Sequence, residues 1–125
     1  MKNRNVDLKK LAMDMYAYSE EELKADGGIA KEMKVDDLLG MGTMCGDPSK
    51  ACFDKDAIAF LKKNKVKKVG VVLMPDEDDP SKMLVSDMSA SMTFEDAEAF
   101  GELISEKGGS LRPDGEDGEV GFESE

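Results

Sequence analysis

Histidine is missing from this chain altogether, and so is tryptophan. Without an imidazole there is no Ser-His-Asp or Cys-His catalysis, no histidine proton transfer near neutral pH, and no zinc site that needs a nitrogen ligand. Carboxylate, lysine or thiol chemistry survives, but no motif marks a reaction centre. The chain is read as non-enzymatic, with no cofactor. Cysteine is also scarce: Cys45 and Cys52 are too few for the disulfide framework of a small secreted protein. The loop between them, Gly-Asp-Pro-Ser-Lys-Ala, is longer than the roughly two to four residues of a metal clamp, and no second pair exists. Two reduced thiols are expected.

Long apolar runs are absent. The longest, Val69-Gly-Val-Val-Leu-Met74, falls far short of a membrane span. The basic start Met1-Lys-Asn-Arg-Asn lacks the apolar stretch of a signal peptide. No membrane contact is expected, and a cytoplasmic location follows as the expectation. Aromatic residues make up only 6% of the chain, so the core must come from Leu, Val, Ile, Ala, five Phe and some of the ten Met. Positive charge is the minority, 17 Lys and Arg against 28 Asp and Glu, a net −11. That balance disfavours nucleic acid and anionic membranes, which need clustered cations.

What cationic charge there is lies together. Lys62-Lys63-Asn64-Lys65-Val66-Lys67-Lys68 joins a helix end to a strand start, where lysines suit the helix dipole and discourage edge aggregation. With no Arg or aromatic residue interleaved, it does not read as a nucleic-acid site. It could instead dock an acidic segment, the protein's own tail among the candidates. The densest acids are Asp76-Glu77-Asp78-Asp79, at a turn without the register of a calcium loop. The glycines Gly40, Gly42 and Gly46 do not fit the dinucleotide fingerprint, because no strand precedes them and the third comes late.

Periodicity predicts an amphipathic helix over 5–18, with Leu8, Leu11, Ala12, Met15 and Tyr18 on one side. Ser19-Glu20-Glu21-Glu22 is a helix start and Asp26-Gly27-Gly28 a stop. From Ile29 to Gly46 the pattern suggests only short helical pieces and loop. Asp54 or Asp56 caps a helix running to about Asn64. Val66–Met74 is the clearest strand and Met83–Met88 a second, joined by the acidic loop. Thr93 caps the helix Phe94–Lys107, whose outer face carries Glu95, Glu98 and Glu102. Ser110–Arg112 could add a third strand, and the glycine-rich acidic segment from Pro113 reads as disordered.

The expected fold is α+β: a small single domain in which a β-hairpin or small, mainly antiparallel sheet is packed by amphipathic helices. It spans 1–112, with a helical part at 5–46, a helix–strand–strand–helix core at 53–108, and a disordered acidic tail at 113–125. A two-stranded sheet is marginal alone, so either further strands or a second subunit in a homodimer must complete it.

The function expected is a non-catalytic acidic interaction module, an adaptor, inhibitor or assembly factor that meets a basic protein surface. Candidate contact residues are Asp76, Glu77, Asp78, Asp79, Glu95, Glu98 and Glu102, together with Lys62, Lys63, Lys65, Lys67 and Lys68. The alternative is a structural subunit of a larger assembly, such as a small virion or scaffold protein. A calcium- or metal-responsive protein comes third.

Overall fold

The computed structural model describes residues 7–14, 19–47 and 50–124. Within them, five antiparallel strands form one sheet: β1 (Ile29–Lys34), β2 (Lys68–Pro75), β3 (Met83–Ala90), β4 (Arg112–Glu116) and β5 (Glu119–Glu123). Their spatial order is β1-β2-β3-β5-β4. Four helices accompany them: α1 (Leu8–Asp14), α2 (Glu20–Ala25), α3 (Lys55–Lys63) and α4 (Phe94–Glu106). The expected α+β class is what the structure shows.

The central strands β2 and β3 are buried on both pleat faces because both faces are covered. Val69, Val71, Met88 and Phe122 point to one side, where Phe53, Ala57, Leu61, Phe100 and Ile104 of the α3–α4 region complete the main core. Phe100 lies 5.5–6.1 Å from the rings of Phe53, Phe60 and Phe122. On the other side Val72 meets Ala12 of α1 and Leu23 of α2. Gly70 is required here, since a Cβ would collide with the Leu8 carbonyl of α1. The Ser89 hydroxyl donates to that same carbonyl.

Helix starts are legible from composition. Ser19, Asp54 and Thr93 accept from the backbone N–H of Glu22, Ala57 and Asp96, so Asp54 and not Asp56 is the cap of α3. Met15 and Tyr18 of the predicted first helix lie outside the described residues. The methionines mainly fill the core: Met33, Met88 and Met92 are buried, and Met41 and Met83 pack against the main core cluster.

Two expectations need correction. Residues 29–34 form a strand, β1, followed by a 3-10 turn at Val35–Leu38. Residues 112–123 form the β4–β5 hairpin, so the C-terminal segment is not a disordered tail and the domain does not stop at 112. Val120 and Phe122 are wholly buried, which explains why this acidic stretch folds. Its turn, Asp117-Gly118, is stitched to the start of α4 by Phe94 N–H donating to Asp117 and Gly118 N–H donating to the Met92 carbonyl. The sheet is completed from within the chain by β1, β4 and β5, the first of the two alternatives that the sequence left open.

Candidate functional site: a lysine-walled groove

Helix α3 ends in a Schellman closure: Val66 N–H reaches the Leu61 carbonyl and Lys65 N–H the Lys62 carbonyl. Leu61 and Val66, both buried, make the apolar contact that usually accompanies this motif. The residue that turns the chain is Lys65, at φ +65°, the one non-glycine residue with positive φ among those described. Two other helices of the molecule close in the same way. There Gly28 N–H reaches Leu23 and Gly109 N–H reaches Ile104. The turning residues in those are Gly27 and Gly108, at φ +82° and +95°. A lysine in this conformation costs about 1 kcal/mol relative to glycine.

Around that turn the chain builds an open groove of about 770 Å³, walled by Lys34, Lys62, Lys65, Lys67 and Lys68 with Asp36, and floored by Val35 and Val66. All five lysines are exposed and both valines buried. Lys62 also pairs with Asp36 at 2.5 Å. Lys34 and Lys68 stand opposite one another across β1 and β2. Of the lysines singled out in the sequence, Lys62, Lys65, Lys67 and Lys68 converge here, whereas Lys63 is exposed but does not line the groove. Lys34 was missed. Nothing local marks it, because its membership depends on β1 pairing with β2.

The acidic candidates are dispersed. Asp76–Asp79 sit in the β2–β3 loop, at the far end of β2 from Lys68, about 26 Å away by strand rise. Two of their carboxylates serve the turn itself. Asp76 accepts from Asp78 N–H, and Asp79 accepts from both the N–H and the hydroxyl of Ser81. The Ser81 bonds hold the Asp79 carboxyl below its ordinary pKa. Glu95, Glu98 and Glu102 are exposed on α4. Glu98 and Glu102 border a shallow recess beside Leu111 and Pro113, and no described cavity joins them to the loop.

Cys45 and Cys52 are free thiols. Burial pushes the Cys52 thiol up in pKa, the direction of an inert core residue. Among the described residues no three Cys, Asp or Glu side chains converge to hold a metal ion, and no helix is long and apolar enough to cross a membrane. Among the described side chains Asp87 is the one carboxylate buried in the sheet; it lies on the α1 side, opposite Glu123 of β5.

No protein-family model matches the chain, and neither the curated proteins nor the solved structures give a match. The functional reading therefore rests on geometry and charge.

Proposed function

We propose that the protein is a non-catalytic interaction module whose organised contact surface is the lysine-walled groove, and that the groove takes an acidic segment of another protein. The observation that carries this is Lys65. Where two equivalent helix ends use glycine, α3 keeps a lysine in a left-handed conformation, at a cost in stability, and thereby adds a cation to the groove wall. Local strain of this kind accumulates where a side chain is needed for something other than folding. Backbone strain and cation convergence meet at one place.

The expected partner with a basic surface has no comparable focus. Its candidate contacts, Glu95, Glu98, Glu102 and Asp76–Asp79, lie on separate elements. They contribute to the net charge and keep the molecule soluble.

The test is Lys65→Gly, read in two ways. Chemical denaturation should show the variant more stable by about 0.5–1 kcal/mol, because glycine relieves the turn. The probe is a fluorescein-labelled peptide, Glu-Asp-Glu-Asp-Val-Thr-Val-Thr, followed by anisotropy. The variant should bind it several-fold more weakly, and Lys65→Glu combined with Lys68→Glu more weakly still. Added salt should weaken the native complex, since exposed charges are screened beyond a Debye length of about 8 Å at physiological ionic strength. A Lys65→Gly protein that gains stability and binds as before would make the lysine an accident of sequence.

A further inference from the structure

We propose that the acidic partner binds as an extended strand added to the free edge of β1, with its acidic end turned into the groove; this rests on the groove reading above. The argument begins with the register. β1 pairs with β2 so that Lys34 faces Lys68 and Met33 faces Val69. One step further, Val35 N–H donates to the Lys67 carbonyl, which continues the same register. In an antiparallel pair, hydrogen-bonded and non-hydrogen-bonded partners alternate. The bonds toward β2 therefore belong to Ile29, Lys31, Met33 and Val35. The N–H and C=O groups of Ala30, Glu32 and Lys34 point the other way, off the end of the sheet, where β1 has no strand neighbour among the described residues.

The opposite edge is interrupted by proline and this one is not. β4 carries Pro113, which has no N–H to donate, and Gly115. β1, Ile-Ala-Lys-Glu-Met-Lys, contains neither proline nor glycine, and Ile29 leaves 47% of its surface in solvent. Charged side chains on an edge guard against indiscriminate pairing, and here they also set a code. Lys31, Lys34 and Lys68 border a second recess at this edge, with Glu32, Met33 and Asp37. Lys34 and Lys68 belong to both recesses, so edge and groove form one continuous surface. Cross-strand neighbours interact directly. An incoming strand is thus favoured by acids beside Lys31 and Lys34, by a neutral or basic residue beside Glu32, and by an apolar residue beside Ile29. Main-chain bonds would supply affinity and the side chains specificity, as in strand addition generally.

The experiment separates edge from groove with the same peptide, Glu-Asp-Glu-Asp-Val-Thr-Val-Thr. Two versions are N-methylated on alternate residues of the Val-Thr half, in one phase or the other, leaving charge unchanged. Only the phase whose N–H groups face β1 should lose affinity, by roughly tenfold. Amide exchange of Ala30, Glu32 and Lys34 should slow on binding, while that of Lys31 and Met33, already bonded to β2, should not change. Glu32→Pro removes the outward donor without breaking a bond to β2, and should weaken the unmethylated peptide to the same extent. If both methylated peptides bind like the parent and the three amides exchange unchanged, while Lys65→Glu/Lys68→Glu still weakens binding, strand addition is wrong and the groove stands. If the parent peptide does not bind at all, both are wrong.

Discussion

Replacing Asp87 by asparagine should stabilise this protein at mildly alkaline pH and have progressively less effect as the pH falls. Asp87 has no solvent exposure, and its Oδ1 has no hydrogen-bond partner among the described residues. Burial raises its pKa from the ordinary 3.8 to about 7; the Ser86 hydroxyl, donating to Oδ2 at 3.1 Å, works against that rise, and the Glu123 charge adds to it. The folded state thus holds a proton that the unfolded chain releases. Below about pH 4 both states are protonated and nothing is lost. Between about pH 4 and pH 7 stability falls, and above pH 7 the loss is constant. Roughly three pKa units at about 1.4 kcal/mol each make it about 4 kcal/mol, of which about 2 kcal/mol has accrued by pH 5. An asparagine cannot ionise, but its buried amide needs a partner and gives back about 1–2 kcal/mol at every pH. The net gain should therefore be about 2–3 kcal/mol at pH 8 and near zero at pH 5. The swing of about 2.5 kcal/mol between these pH values does not depend on how the amide is accommodated. Urea unfolding of both proteins across that range, followed by far-UV circular dichroism, measures it. The other carboxylates cancel in the difference. A stability difference that stays level with pH would show that Asp87 is ionised throughout and solvated or paired, and the reasoning would fail.

Two further perturbations test the architecture. Truncation after Arg112 should abolish the cooperative thermal transition, whereas removal of a disordered tail would leave the midpoint where it was; Phe122→Ala, which empties the space 5.5 Å from the Phe100 ring, should cost about 3–5 kcal/mol in urea unfolding. Gly70→Ala forces a methyl group against the Leu8 carbonyl, so it should cost about 1–3 kcal/mol and speed amide exchange at Leu11, whose N–H donates to the carbonyl of Asp7, just before α1; unchanged exchange there would mean that α1 is not seated on β2.

What could be read in the sequence was whatever depends on neighbours along the chain. The capping residues Ser19 and Thr93, the apolar run of β2, the hairpin into β3 and the inner stripe of α4 all announce themselves locally. β1 did not, because an edge strand with one buried side chain, Met33, shows no alternation to read. The C-terminal hairpin was hidden by composition. Its acids and glycines suggest a solvated tail, yet the Asp117-Gly118 turn signal precedes Val120 and Phe122, which take part in the core. The candidate site was half visible for the same reason. Four of its lysines lie within seven consecutive residues, whereas Lys34 arrives only through strand pairing, and the strain at Lys65 belongs to backbone geometry that composition does not show.

A groove of five lysines on a chain of net charge −11 would be self-defeating if the purpose were to attract any polyanion. A long nucleic acid or a charged membrane would meet the acidic remainder of the molecule as well as the groove, and be repelled by it. A short segment seated between Lys34 and Lys65 is different. It lies within about one Debye length of the lysines, while the β2–β3 loop stands about 26 Å away at the far end of the strand, several Debye lengths off and largely screened. If the groove binds as proposed, the acidic surplus would act as a filter on the size of what the basic end can hold. It would also give the binding of short segments and of long polyanions different responses to charge removal on the β2–β3 loop. Neutralising Glu77 and Asp78 of that loop together should leave the affinity for the short acidic peptide nearly unchanged and raise that for a long single-stranded nucleic acid. Parallel anisotropy titrations of the two probes would show it, and an equal gain for both would mean that the groove feels the whole molecule's charge and selects nothing by length.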